Sequence, residues 1–405
     1  MATSDEGPSV AFVVPRYGPD VLGGAETHCR ILAENLAAHG TRTTVLTTCA
    51  TNHFTWANEL PEGAAVENGV TVRRFPVGPR DPNAFGGFHT SIALGGQLSY
   101  WEQLSWMGNS VWSPGMLAAV ADERSYDWIV PMPYLFGTTF WATTVRPERT
   151  AVIPCIHDEP HARTDVVLDC LSSARGLLPN TATERALIRQ MLESHRDGDT
   201  RAADEAPLVA VGYEDVPPPT DARIDDFCRR HGVEPGFLLY AGRRELGKGV
   251  GELFALYRAY RSAARNPRAL ALIGAGHLAT PEDLIPHVID LGFLPDEDMP
   301  AAFAAASVLI NPSRLESLGM ILLEAWMAGT PALVNGRSPV LVEHCREGGG
   351  LWWGSEADFI EAVELITSSP EVSSRLAEAG RTYVMERFTW PEVRRRFLGA
   401  LEAWT

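Results

Sequence analysis

At 405 residues the chain is too long for one ordinary hydrophobic core and suits two globular domains of roughly 200 residues each. Its 45% apolar and 21% charged residues exclude a disordered or fibrous chain. A formal net charge of −17, with no long basic stretch to offset it, argues against nucleic acid or an anionic membrane surface as the main partner. The N-terminal stretch to Pro8 is polar and acidic, and no run of about 18 apolar residues occurs, so a cytoplasmic protein without strong membrane association is expected. The six cysteines (Cys29, Cys49, Cys155, Cys170, Cys228, Cys345) show no paired spacing, which points away from a disulfide framework or a zinc site. Among 34 basic residues a single one is lysine, Lys248. A chance remainder would give that count, but an ammonium kept at one place only invites a chemical reason.

In chain order, Ser9 to Pro15 reads as a buried parallel strand. A loop ending in Gly23-Gly24 follows, then a helix from Ala25 to His39, closed by Gly40. With a second strand from Arg42 to Thr48 this is a βαβ opening, and it places Gly23-Gly24 at a strand's carboxyl end, where open α/β sheets bind ligands. The two glycines read equally as a tight turn. Val70 to Val77 is a further strand. The segment from Asp81 to Pro114 is the least periodic and the richest in aromatics, readable as an acceptor-binding wall or as a packed surface excursion. Strands at Trp128 to Met132 and Thr150 to Cys155 follow, the second leading straight into His157. His157 and His161 are four apart, but Pro160 stands between them and the zincin order His-Glu-x-x-His is missing, so no metal is expected. Gly176 to Asn180 is a strand and Thr183 to Glu193 a helix. The charged, Pro-rich stretch from Asp197 to Asp221 marks a domain boundary.

The second half repeats the opening: strand Phe237 to Ala241, loop Gly242 to Gly249 with Arg243 and Lys248, helix Val250 to Arg265. Two cations at a strand end among glycines suit a diphosphate, although an ordinary surface loop has the same composition. After the strand Ala269 to Ile273, the run Gly274-Ala275-Gly276-His277-Leu278-Ala279 fits the dinucleotide pattern G-x-G-x-x-G/A, but Pro281 delays any helix. Asp296-Glu297-Asp298 reads as an N-cap and acidic first turn for the helix Met299 to Ala306. A buried run from Ser307 to Ile310 then stops at Asn311-Pro312, and a polar loop leads to an apolar helix from Met320 to Ala328, started near Gly319 and ended by Gly329. Free amides at that helix start, with Glu316 in the loop and Glu324 on the helix, make an anion site with a carboxylate beside it. Further elements are a strand from Pro331 to Val334, helices at Pro339 to Cys345, Ala357 to Leu365 and Val372 to Ala379 (closed by Gly380), and an amphipathic helix from Phe388 to Trp404.

With these residues assembled, the chain resembles a family 4 retaining glycosyltransferase of the GT-B fold: α/β, with two Rossmann-like doubly wound parallel-sheet domains facing across a cleft. Gly23-Gly24-Ala25-Glu26, Gly242-Arg243 with Lys248-Gly249, and Glu316 with seven residues before Glu324 carry the resemblance. It implies an acceptor-binding domain over 1–212, a nucleotide-sugar donor domain over 213–387, and a final helix over 388–405 returning to the first domain. By the same resemblance Arg243 and Lys248 neutralise the donor diphosphate, Glu324 holds the ribose hydroxyls and Glu316 the hydroxyls of the transferred sugar. Ser317 stands beside that sugar, and the amides of Leu318, Gly319, Met320 and Ile321 meet sugar and phosphate. Gly24, with Gly23, does so from the other domain, Gly274 and Phe293 line the donor, and His157 matches the histidine facing the reacting sugar.

The departures are Gly-Ala-Gly-His after Ile273, where Gly-Asp-Gly-Pro is usual, and Ser317-Leu318-Gly319-Met320, where Gly-Phe-Gly-Leu is more frequent. Ser317 adds a side chain beside the sugar and bears on donor choice. The resemblance implies transfer of a hexose-like unit with retention, without metal or cofactor, by a front-face step in which the leaving phosphate accepts the acceptor's proton. A phosphorylase or epimerase of the same fold is the near alternative. An NAD-dependent oxidoreductase, resting on Gly274 to Ala279, is the distant one. Donor base, sugar, acceptor and oligomeric state are not legible.

Overall fold

The computed structural model describes residues 7–405 apart from Leu22, Glu123 and His277. The chain divides into two compact units, one of residues up to Gly212 together with Trp390–Thr405, the other Tyr213–Thr389. Each is a Rossmann-like α/β unit around a parallel sheet.

In the first unit, β1 (Ser9–Val13), β2 (Arg42–Thr48), β3 (Gly63–Glu67), β4 (Val70–Phe75) and β5 (Trp128–Pro131) form a sheet in the order β3-β4-β2-β1-β5. Only β3 runs antiparallel, as a hairpin with β4 on the edge. Residues Val10 to Val13 are wholly buried, the continuous apolar run of a strand covered on both faces. β6 (Ala151–Val152) and β7 (Gly176–Leu177) pair with each other in parallel beyond β5. The helix Gly24–Ala38 buries Cys29, Leu32, Ala33 and Leu36 at three- and four-residue spacing. The last helix, Trp390–Trp404, belongs to this unit: Phe397 stacks on Phe12 with centroids 5.9 Å apart, and Trp404 lies 6.1 Å from Trp128. Gly176 and Gly212 exist to admit those indoles, since a Cβ at either would overlap Trp404 or Trp390.

The aromatic segment over 81–114 is ordered and helical. Asp81 caps the helix Pro82–Ala93 through bonds from the Asn83 and Ala84 amides, and Ser99 with Glu102 forms a capping box on Tyr100–Gly108. Ile92, Trp106 and Met107 are buried in one cluster with Phe140 and Leu171. The segment is therefore a helical layer packed on the core through these residues, with Leu94 and Trp101 left exposed, and its aromatics hide helical periodicity because both helices are short.

In the second unit, β8 (Phe237–Ala241), β9 (Leu270–Ile273), β10 (Val288–Gly292), β11 (Ala306–Asn311), β12 (Ala332–Asn335) and β13 (Leu351–Trp353) form a sheet in the order β10-β9-β8-β11-β12-β13. All its pairings are parallel. Strand order reverses between β8 and β11, which makes the carboxyl ends of those two strands the topological switch point. Leu238, Leu270, Val308, Ile310 and Leu333 pack with Leu253, Tyr257, Phe359 and Val363 of the covering helices.

Two expectations in this unit fail for identifiable reasons. Gly380 does not end a helix; Pro370–Arg387 runs straight through it, because a Cβ there would overlap the indole of the buried Trp326. Asp298 stands at the start of Met299–Ala305 but makes no side-chain cap. Its carboxylate instead takes a fork from Arg230 at 2.7 and 2.9 Å, which holds it down at about 2, with His231 at 3.4 Å adding to the effect.

Candidate active site

The loops leaving β8 and β11 meet at the switch point of the second unit. Gly249, at φ 75°, lies where a Cβ would overlap the carbonyl oxygen of Pro312, so glycine allows both the left-handed turn and the contact. That contact carries the single lysine to the second loop: Lys248 Nζ is 2.8 Å from Glu316 Oε1. Both side chains are half-buried, and Tyr240 lies close enough to Glu316 for its phenol to be pushed up, first by burial and next by that charge. Two residues expected to touch different parts of one donor thus touch each other.

From Glu316 the chain passes Ser317 and the buried Leu318 to Gly319, whose left-handed φ of 73° starts the helix Met320–Met327. A Cβ on Gly319 would stand 2.6 Å from Leu341. The amides of Leu318, Gly319, Met320 and Ile321 therefore sit at the positive end of a helix beside an ion pair. Three contacts absent from the expected set hold this loop. Asn335, at the end of β12, donates from Nδ2 to Pro312 O at 3.0 Å. Fully buried His344 donates from Nε2 to Leu318 O at 2.8 Å and accepts from the Tyr383 hydroxyl at 2.8 Å, its pKa lowered chiefly by burial. Tyr213 donates to Met320 O at 3.3 Å. The signal that could have flagged them is weak: a lone Asn, His and Tyr among apolar residues.

Glu324 lies one turn into the helix, half-buried. Burial pushes its carboxyl up to about 7, with the charge of Asp296 adding to the effect. Arg243 is exposed, with Glu245 at 3.4 Å, while its neighbour Arg244 is turned inward and bound to Asp290 at 2.5 Å. Gly274 and Phe293 follow the ends of β9 and β10, where the Gly274 amide donates to Gly292 O at 2.7 Å and Phe293 is 61% exposed.

The dinucleotide pattern over 274–279 lacks its structural context. A Cβ at Gly274 would overlap Gly242 O, and the amide of Arg244 donates to Ala275 O at 2.9 Å, so the glycines serve loop-to-loop backbone packing. Among the described residues no α-helix follows before β10, and with none there is no helix N-terminus to receive a pyrophosphate.

The first unit carries the remaining expected residues. Gly23 admits the carboxylate of Glu26, which curls back onto it and pairs with Arg16; both partners are buried. Gly24 is exposed with open space where a Cβ would stand, so of the two glycines this is the one a ligand can approach. His157 lies in the turn after β6, half-buried, with Nδ1 3.3 Å from Glu159 Oε1. Among the described residues no group of three or more His, Cys, Asp or Glu is gathered as a metal site, and no helix is long and apolar enough to cross a membrane.

Residues 224–383 match the family described as glycosyl transferases group 1. D-inositol 3-phosphate glycosyltransferase of Streptomyces scabiei is 26% identical over 92% of this chain and 84% of its own length. Glycogen synthase of Mycobacterium tuberculosis is 25% identical over 95% and 92%. Among solved structures, Anabaena Alr3699/HepE in complex with UDP and glucose superposes with a TM-score of 0.70 at 17% identity, over 98% of this chain and all of that one. Sucrose-phosphate synthase from Thermosynechococcus elongatus does so at 0.73, also at 17% identity, over 98% of each. By the match over its second unit, the relatives along its length and the shared GT-B fold, the chain is similar to glycosyltransferases of the group 1, family 4 type.

Proposed function

We propose that the protein transfers a hexose-like sugar from a nucleoside diphosphate sugar to an acceptor hydroxyl with retention at the anomeric carbon, without metal or cofactor. The observation that carries this reading is the Lys248–Glu316 pair at 2.8 Å, set between the two loops of the switch point and beside the start of Met320–Met327. A diphosphate needs a cation and amide donors, and a sugar needs a carboxylate for its hydroxyls; one small region offers all three.

In this reading Lys248 and Arg243 neutralise the diphosphate as charge develops on the leaving group, and Glu316, released by Lys248, binds the sugar hydroxyls. The amides of Leu318 to Ile321 meet phosphate and sugar, with Ser317 beside the sugar. Glu324 accepts from the ribose hydroxyls, and Phe293 offers an exposed ring next to Gly274 for the base. The first unit supplies Gly24, with Gly23 behind it, and His157, which serve the reacting sugar and the acceptor. Proton transfer from acceptor to leaving phosphate needs no protein base, so the protein's part is position and electrostatics. The UDP and glucose named in the HepE complex support a nucleoside diphosphate donor, and the bacterial relatives support a cytoplasmic enzyme of glycan or secondary-metabolite synthesis.

The test is incubation with UDP-, ADP- and GDP-sugars and a panel of sugar, polyol and glycan acceptors in the presence of EDTA. Acceptor-dependent nucleoside diphosphate release, with an α-linked product from an α-linked donor by NMR, is expected. A β-linked product or complete loss in EDTA overturns retention or metal independence. Consumption of inorganic phosphate in place of an acceptor would show a phosphorylase.

A further inference from the structure

The turn after β6 carries three polar residues in a row, His157, Asp158 and Glu159, and the fold separates them by direction. Asp158 faces outward and takes a fork from Arg163, Oδ1 standing 3.1 Å from Nε and 2.7 Å from Nη2. Glu159 faces inward. Its Oε1 accepts from the Tyr134 hydroxyl at 2.6 Å and lies 3.3 Å from His157 Nδ1, and its Oε2 is 3.7 Å from Nδ1 of the buried His161. Burial works against a charge on Glu159, but the hydrogen bonds from His157 and Tyr134, with His161 close by, outweigh it and hold the carboxyl well below its usual range. Tyr134 stays protonated, its pKa raised by its own burial and then by the charge of Glu159.

An ionised carboxylate only accepts. A histidine nitrogen that bonds it must therefore carry the proton, and the neutral ring then shows a lone pair on its other nitrogen. The frame around the dyad is tight. The amide of Glu159 donates to His157 O at 2.9 Å, that of Tyr134 to Pro154 O at 2.9 Å, and that of Ile156 to the buried carboxylate of Glu184 at 2.6 Å.

We propose that Glu159, locked by Tyr134, is a positioning residue for His157: it keeps the neutral imidazole protonated on Nδ1 and turns Nε2 out as an acceptor for a substrate hydroxyl. The substrate group recognised by His157 is accordingly a hydroxyl that donates, not a phosphate or carbonyl that accepts. The inference rests on the assignment of His157 to the reacting sugar made above.

The test uses the full chain labelled with 15N-histidine and long-range 1H–15N correlation at pH 8, with the His157 signal identified by its loss in His157→Gln. In wild type, His157 is expected to show a protonated Nδ1 and a bare Nε2; in Glu159→Ala the preference is lost. Turnover, read as nucleoside diphosphate release with the best nucleotide sugar of a UDP-, ADP- and GDP-glucose panel, should fall roughly 10- to 100-fold in kcat, with donor KM within about 3-fold. Glu159→Gln, whose amide oxygen still accepts from Nδ1, should recover part of the loss. A wild-type His157 protonated on Nε2 overturns the proposal without any variant, as does a Glu159→Ala protein with the wild-type spectrum and kcat. If the spectra behave as expected but His157→Gln turns over like wild type, the positioning by Glu159 stands and the role of His157 in transfer falls.

Discussion

Lys248 and Glu316 form an ion pair, which in the proposed reading opens when a donor enters, so that each sets the other's availability. On that reading, removing the ammonium takes away a charge-assisted contact to the leaving group, which contributes about 2–4 kcal/mol at such sites. Lys248→Ala should lower kcat/KM by roughly 30- to 1,000-fold, and turnover within a few-fold of wild type would disprove the clamp. Glu324 allows a second test, of stability against pH. Its folded pKa is about 7 against an ordinary 4.5, so folding takes up a proton between those values. Stability from this group is therefore greatest below the window and declines as pH rises through it, by up to about 3 kcal/mol. Urea unfolding of Glu324→Gln at pH 5 and pH 8 should show the variant gaining on wild type at the higher pH, while its affinity for nucleoside diphosphates falls roughly 10-fold. A wild-type stability profile in the variant would mean that the carboxyl is not raised.

At the scale of elements, helices here are placed by what presses on their glycines. Gly380, in the interior of Pro370–Arg387, meets the Trp326 indole, whereas Gly251, in Val250–Ala263, has only Leu246 Cδ2 at 3.5 Å from its would-be Cβ. Gly380→Ala should cost about 1–3 kcal/mol by overpacking, and Gly251→Ala should gain up to about 1 kcal/mol in helix propensity. Opposite shifts in the urea midpoint are expected, and equal ones would refute the packing argument. The same element logic explains what could be read in advance. Strands β1, β8 and β11 show as continuous apolar runs because both faces are covered. The loop glycines announce the strand ends. The helices at 82–93 and 100–108 do not show, since short aromatic helices stabilised by caps and core contacts carry too few turns to display a period.

On the scale of the whole molecule, the chain leaves its first unit at Gly212 and returns at Trp390. The final helix completes the first core through Val393, Phe397, Leu401 and Trp404. Phe397→Ala should cost about 3–5 kcal/mol, and hydrogen exchange should show the loss in β1 and β2 while β8 to β12 keep their protection. Loss spread evenly over both sheets would contradict the division. A nucleotide at about 100 times its dissociation constant should add about 2.7 kcal/mol, seen as slower exchange around 311–327 in the second unit.

The sequence by itself determined the alternation of strands and helices, the glycine loops at strand ends, the single lysine and the two glutamates with seven residues between them, because these depend on local pattern and composition. Only the tertiary structure decided who meets whom. It joined Lys248 to Glu316, gave Asp298 to Arg230 in place of a cap, and turned Glu159, not Asp158, toward His157. It also assigned Gly274 to backbone packing and Gly380 to an indole. Such pairings are made by side chains distant in sequence or turned by one residue's step around a bend, and no local pattern carries that direction.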